Sequence, residues 1–459
     1  MPTLPVQLQQ PNMDENVEPM ELDIGEVEEP TDLPVLDEVQ LDLESFVAPY
    51  SGLSRVYRLE FIADHCNSLR CEALKMALDY IKDNSSNVRD YVRLFKKLEE
   101  ARRELAPSTS SSFRDLKPDT TWIDIKTKQA ALKHERLEAE LKNFRANFIK
   151  ENLRRAQDDL GDHHVECGDL DAAFNAYSKS REYATTHKNQ INQCLNVIQV
   201  GILLKRWSAV SNHVLRAESH ITVESQTHPH TPTKLQCAAG LYELSVKRYK
   251  EAAKHLLSTN FDHFDRPESN LLAPINIVTY GSLCALATYK RNELATHLVN
   301  SASFRQFSEL DTQLRDAVNN FYESKYAPCL SLLQDMKKAF MLDLYLAPHV
   351  ENLYKMIRNR ALVQYFEPYS SACLRKMAAS FSANTIEELE REICDGHIKA
   401  RIDSHQKILY ASDVDSRSQI FERALSMGKL WQRQAQALIS RTAILNAGLK
   451  VNKKISETI

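Results

Sequence analysis

Metal binding and nucleophilic chemistry would both depend on the histidines and cysteines of this chain. His228-Pro229-His230 sets two imidazoles in a Thr- and Pro-rich stretch, but no Asp follows at hydrolase spacing, so the pair reads as part of a loop. His163 and His164 are adjacent and point to different faces of a helix. Cys394 and His397 are close enough to approach each other, yet no second pair completes four ligands. His134-Glu135 is not followed by a His at the position a helical zinc motif needs. The nine cysteines (66, 71, 167, 194, 237, 284, 329, 373 and 394) are odd in number and scattered, and they read as reduced thiols set among apolar helical positions. No Ser or Cys has a context that marks it as a nucleophile.

Ten glycines, a share well below the usual ~7%, never come closer than seven positions apart. Dinucleotide fingerprints, phosphate loops and nucleophile elbows all need glycines packed more tightly than that. The residues therefore predict no catalytic site, no metal and no cofactor. What they offer instead is helix: low Gly with abundant Leu, Ala, Lys, Glu and Arg.

The 459 residues carry a net charge of -4 and a mean hydropathy of -0.42, ordinary for a globular chain of two or three domains. The charge is uneven. Residues 1–50 hold 13 Asp and Glu and no Lys or Arg, which leaves +9 on the remainder. With Pro2, Pro5, Pro11, Pro19, Pro30 and Pro34 and few aromatics, residues 1–40 are expected to be a disordered acidic arm, either a solubilising tail or a docking segment. The N-terminus lacks the pattern of a signal peptide, and no apolar run approaches the ~20 residues of a membrane span. A chain of cytoplasm and nucleus without membrane contact is expected, and the Asn84-Ser85-Ser86 sequon carries no meaning there.

The elements that position these residues follow from periodicity. Residues 50–105 read as two helices, with Leu59, Ile62, Ala63 and Cys66 on one face and Ala73, Leu74, Ala77, Leu78 and Ile81 on the next. A loop is expected at Ser108–Ser112, then one long charged helix from Trp122 to Leu160 with Leu137, Leu141, Phe144 and Phe148 in step. Leu160-Gly161, Gly168-Asp169-Leu170, Ala173, Tyr177 and Ser180 match the tetratricopeptide pattern of paired helices. Lys205-Arg206-Trp207 with Val210, Val214 and Ala217 repeats it 37 residues on, and Lys247-Arg248-Tyr249 with Ala252 and Leu256 after another 42. Lys325-Tyr326 with Cys329, Leu333 and Met336 is a further copy, and Arg291–Leu294 a weak one. Stacked copies predict a helical-repeat solenoid over 41–345.

After Pro348 the pattern changes. Helices are expected over 351–366, about 371–381 and 386–395, the last capped by Thr385 and stopped by Gly396. Ile398, Ala400 and Ile402 then alternate with polar residues as a strand, Ser404-His405-Gln406 turns the chain, and Lys407–Tyr410 returns. Helices followed by a β-hairpin make a winged helix, placed at 346–415. From about Ser416 to Ala447 runs one helix whose Ile420, Ala424, Met427, Trp431, Ala435, Leu438, Thr442 and Leu445 form a bundle-type stripe, with a flexible tail over 448–459. Glu387, Glu388, Glu390, Glu392 and Asp395 on the third helix would repel phosphates, so nucleic-acid binding there is not expected. The basic residues of the last helix read as its solvated face.

Several blocks resemble the subunit-1 family of the COP9 signalosome: Tyr50–Leu53, Phe61–Cys66, Glu72–Leu78, Asp158–Asp162, Phe261–His263, Phe321–Tyr326, Asp343–Val350, Ile357–Phe366 and Ala400–His405. The resemblance runs from about 40 to 447. Some blocks are also similar to the paralogous proteasome-lid subunit; Tyr50–Leu78 and Val17–Met20 favour the signalosome. The resemblance implies a mainly α chain of tetratricopeptide-like repeats, a PCI domain ending in a winged helix, and a C-terminal bundle helix. It further implies a non-catalytic scaffold in the complex that removes a ubiquitin-like modifier from cullins, with zinc held by another subunit. Its partners would be other signalosome subunits, reached through Ile398, Ala400, Ile402, Ile408 and Tyr410 of the wing and Ile420, Met427, Trp431, Leu438 and Leu445 of the helix, with cullin-RING ligases a further partner. The alternatives are a proteasome-lid subunit and a PCI-type nucleic-acid or translation-factor scaffold.

Overall fold

The computed structural model describes residues 41–105, 118–147, 149–221, 230–264, 272–381, 400–411 and 416–448. The acidic arm, the Ser108–Ser112 loop, Phe148, His228, the helix expected at 386–395, Gly396, Cys394, His397, Ile398 and the tail from 449 lie outside them. Two compact units span 1–365 and 366–459.

The first unit opens with α1 (Leu43–Val47), α2 (Gly52–His65), α3 (Arg70–Asn84) and α4 (Val88–Leu105). Both predicted apolar faces are buried. Residues 50–105 nevertheless hold three helices where two were expected. The extra break falls where Ser85 Oγ accepts from Asn87 N at 2.9 Å and Asn87 Oδ1 accepts from Asp90 N at 3.0 Å, a side-chain cap that starts α4.

The single charged helix expected over 122–160 is also two: α5 (Thr120–Asn147) and α6 (Lys150–Cys167). Ile149 is extended, and the chain reverses so that Lys133 pairs with Glu166 at 2.5 Å and the His134 and His163 rings stack. An unbroken 3.6-residue period carries no mark of such a reversal; cross-helix pairing decides it.

The repeats follow as α7 (Leu170–Ser180), α8 (His187–Leu203), α9 (Trp207–Ile221), α10 (His230–Ser245) and α11 (Tyr249–Leu257). Beyond them come α12 (Pro274–Thr288), α13 (Arg291–Leu294), α14 (Ala302–Ser308), α15 (Thr312–Tyr322) and α16 (Tyr326–Phe340). Four turns share one geometry. Gly168, Lys205, Lys247 and Ser324 all have left-handed φ between 58° and 80°. Each donates its N–H three residues back, and the following residue donates five back: Gly168 to Val165 and Asp169 to His164, Lys205 to Ile202 and Arg206 to Gly201, Lys247 to Leu244 and Arg248 to Glu243, Ser324 to Phe321 and Lys325 to Asn320. This double bond satisfies the last carbonyls of a helix and aims the chain straight into the next one. Five and nine residues past each turn stand Ala173 and Tyr177, Val210 and Val214, Ala252 and Leu256, Cys329 and Leu333, all buried.

Close approach in these hairpins rests on missing side chains. A Cβ on Gly161 would lie 2.5 Å from the Tyr177 ring, and one on Gly240 2.7 Å from Leu256. The weak copy at Arg291–Leu294 lacks the left-handed turn. Tyr289 and Lys290 are extended there, and Glu293 caps α13 by accepting from Lys290 N at 2.9 Å.

The end of the repeats is tied to the N-terminal helices by a buried ion pair. Arg58 of α2, 1% exposed, meets Asp343 at 3.2 Å and lies over the rings of Tyr50 and Tyr345. Asp343 also accepts from Tyr280 Oη of α12 and from the backbone N–H of Tyr345. Burial disfavours the Arg58 charge, and the Asp343 carboxylate more than offsets that, holding the guanidinium firmly protonated. Next, α17 (Ala347–Phe366) starts earlier than the expected 351, because Pro348 sits in its first turn, where no N–H is needed.

In the second unit, β1 (Ser371–Cys373) precedes α18 (Leu374–Ser380); β2 (Ala400–Asp403) and β3 (Ile408–Ala411) form the hairpin, and α19 (Ser416–Asn446) closes the chain. The expected helix at 371–381 thus begins as a strand. Three residues are too few to show a period of two, and they are strand only because β3 is there to pair with. The antiparallel sheet is ordered β1-β3-β2.

Candidate protein-interaction surfaces

Among the described residues no group of three or more His, Cys, Asp or Glu could hold a metal ion. His230 and His263 are partnered with each other through ring contact and a 3.2 Å approach of Nδ1 to the His263 carbonyl. His163 is pushed down by burial and by Lys133, and lies 3.7 Å from Cys167 Sγ. Burial pushes the Cys237, Cys284 and Cys329 thiols up to about 12, which leaves them protonated and unreactive. Cys373 differs: at the start of α18 it accepts from the backbone N–H groups of Lys376 and Arg375, which lowers its pKa.

The wing residues separate by face. Register sets Ser371 opposite Tyr410 and Ala372 opposite Leu409 on one side, with Arg401 opposite Tyr410 and Ile402 opposite Leu409 on the other. Side chains directly opposite share a face, and the face changes at every residue. Ala400 and Ile402 therefore share the face of Leu409, which is fully buried, whereas Ile408 and Tyr410 share the other face with Arg401. The four described wing candidates do not form one patch: Ala400 and Ile402 belong to the side of Leu409, and Tyr410 is exposed. Leu409, absent from the expected set, anchors the sheet.

Backbone pairing separates as well. The return strand β3 is the middle strand, its N–H and C=O groups already engaged on both sides. The edges are β1 and β2. Nothing in the sequence of 371–373 signalled this, because strand order is a tertiary property.

The terminal helix is different again. Its 31 residues span about 46 Å at 1.5 Å per residue, and its apolar side chains stand in solvent. Ile420, Met427, Trp431, Leu438 and Leu445 are all exposed, Trp431 by 72% and Leu445 by 76%. So are Phe421, Leu425, Leu430 and Ile439, which the stripe omitted. Their signal was present: apolar pairs at 420–421, 430–431 and 438–439 widen one seam into a broad face. Arg423, Lys429, Arg433 and Arg441 are also exposed, on a helix with no acidic residue after Glu422.

A repeat unit, a three-stranded wing and an uncovered helix are the architecture against which known proteins can be compared. The family model described as PCI domain matches residues 333–413, and that described as 26S proteasome subunit RPN7 matches 119–297. COP9 signalosome complex subunit 1b of Drosophila melanogaster is 42% identical, covering 99% of this chain and 95% of its own. COP9 signalosome complex subunit 1 of Arabidopsis thaliana is 37% identical over 90% and 91% of the two chains. The 26S proteasome non-ATPase regulatory subunit 6 of Dictyostelium discoideum is more distant, 22% identical over 64% of this chain. Identity at this level over nearly the full length shows that the chain belongs to the COP9 signalosome subunit 1 family.

Proposed function

We propose that this chain is a non-catalytic scaffold of the COP9 signalosome, the complex that removes the ubiquitin-like modifier from cullins and so regulates cullin-RING ubiquitin ligases. Cleavage would fall to another subunit, and the chain would act in both cytoplasm and nucleus. Its partners would be neighbouring signalosome subunits, engaged through the wing edges and α19, with cullin-RING ligases contacted by the assembly.

The observation that carries this reading is the face of α19. Burying a large apolar side chain stabilises by about 1.5–3 kcal/mol. A helix that leaves nine such side chains in water forgoes a stabilisation that helices of a partner assembly would supply. A stripe of this kind is what a helical bundle buries.

The test is a pull-down of the tagged full chain from cell extract beside a Trp431→Asp, Leu438→Asp double variant. The wild-type chain is expected to recover a set of about seven partners together with cullin-deneddylating activity, and the variant to lose most of them. Recovery of proteasome particles would establish the proteasome-lid reading instead, which the match over 119–297 makes the nearest competitor. A salt-sensitive shift of RNA or DNA by the purified chain would favour the nucleic-acid reading.

A further inference from the structure

Among the described residues, no ion pair neutralises one set of basic groups around α9. On α9, His213, Arg216 and His220 follow one another at spacings of three and four and so share a face. His187, at the start of α8, brings its Nδ1 to 3.3 Å from that of His220. Arg181, in the turn after α7, acts electrostatically on His213 together with Arg216. Every charged group acting on His213 and His220 is basic.

Two of these nitrogens are buried and unpartnered. Among the described residues Arg216 Nη1 and His213 Nδ1 have no hydrogen-bond partner, although nearly all buried polar atoms in folded proteins do. A buried guanidinium nitrogen without an acceptor is costly. Burial, then Arg216 and Arg181, push His213 down to about 4, so the imidazole stands neutral at physiological pH. An arriving carboxylate would satisfy Arg216 and reverse that pressure on His213.

The chain carries such carboxylates itself. Its first 50 residues hold 13 Asp and Glu without one Lys or Arg. The described chain begins at residue 41, close before α2, and Leu53 and Tyr57 of α2 pack against Leu170 and Tyr177 of α7 and Val197 and Val200 of α8. Leu41 and Leu43 themselves pack on the core of α2, α3 and α4, so the arm is tethered to the same compact unit as the stripe. Forty residues of unfolded polypeptide have a root-mean-square span of about 35 Å, a reach comparable to the size of a domain, and tethering of that length gives effective concentrations of order millimolar.

We infer that the acidic segment 1–40 docks in cis along the Arg181, His187, His213, Arg216 and His220 stripe, covering this face of the repeat until a competing acidic segment displaces it.

The test titrates a fluorescent peptide of residues 11–40 into four forms of the full chain, read by anisotropy. The forms are the wild type; a chain whose Asp and Glu within 1–40 are changed to Asn and Gln; that neutralised chain carrying Arg181→Glu; and the neutralised chain carrying Arg216→Glu. The neutralised chain is expected to bind the peptide at least tenfold more tightly than the wild type, because its own arm no longer occupies the stripe. Either charge reversal should then weaken binding at least tenfold, and doubling the salt should weaken it further. Arg181 is exposed, so its substitution leaves the fold intact even if Arg216→Glu does not. Equal affinity for the wild-type and neutralised chains would show that the arm does not occupy the site. Equal affinity with and without Arg181→Glu would show that the peptide binds elsewhere, and no binding to any form would show that the stripe takes no acidic peptide. Each of these overturns the inference, and none depends on assembly into the larger complex.

Discussion

Helices α12 and α19 are both rich in apolar residues and meet opposite fates. In α12 the eleven residues Asn276–Val278 and Tyr280–Ala287 are all buried, including Ser282 and Asn276, and the helix is apolar on every side because neighbours of its own chain cover every side. In α19 the apolar residues gather on one broad face with Lys429 and Arg433 opposite, and nine large apolar side chains remain in water. The contrast teaches that apolar content alone does not say where the partner is. A helix apolar all round was completed within the chain, whereas a helix apolar on one broad face was left for something else to complete.

Removing the charge partner at the centre of the first unit should strain this contrast most. Asp343→Ala leaves Arg58 buried without its carboxylate and should cost about 3–5 kcal/mol, read as a fall in the urea midpoint. If stability barely changes, the tie between α2 and the end of the repeats is not the keystone its burial suggests. Gly161→Ala tests the hairpin approach: helix propensity gains about 1 kcal/mol, but crowding against the Tyr177 ring should cost about 1–3 kcal/mol. A more stable variant would mean that the α6–α7 pair can spread.

His213 gives a pH test in the chain whose arm carboxylates are neutralised, where none of them offsets the pressure of Arg216 and Arg181. Its folded pKa is depressed to about 4 from 6.5, so the unfolded chain binds the extra proton in between. Stability is full above pH 6.5 and is lost as pH falls toward 4, by about 2 kcal/mol at pH 5. His213→Gln should flatten that part of the stability profile, and an unchanged slope would show that the imidazole is reached by water. The smallest effect is expected in α19. Trp431→Asp with Leu438→Asp should leave the unfolding midpoint of the isolated chain within about 0.5 kcal/mol of wild type, since both side chains are already solvated. A large loss would mean that the helix is covered within the free chain after all, and the comparison with α12 would collapse.

Much of the architecture was legible from local signals. The tetratricopeptide turn at Gly168 could be read because Gly marks a left-handed residue, and the copies at Lys205 and Lys247 could be read from the small and large residues that follow at fixed offsets. The Arg291 copy, read as a weak one, enters its helix from an extended chain rather than through a left-handed turn. The split of α5 from α6 was invisible because both halves keep one helical period. At the candidate surfaces, the α19 stripe was legible from spacing alone, though narrower than the exposed face proved to be. The division of the wing residues between two faces was not, since it depends on register with a strand that no local pattern announced.

Sequence by itself determined what depends on neighbours along the chain: helix content, the capped and left-handed turns, and the buried stripes of α2, α3 and the repeat helices. Tertiary structure alone decided which distant residues met. Arg58 and Asp343 lie 285 positions apart, β1 became a strand only beside β3, and the unpartnered nitrogens of Arg216 and His213 were created by the packing around α9. The physical reason is range. Backbone dihedrals and caps respond to residues within a turn or two, whereas burial, ion pairing and sheet register are settled by whichever surfaces the folded chain brings together.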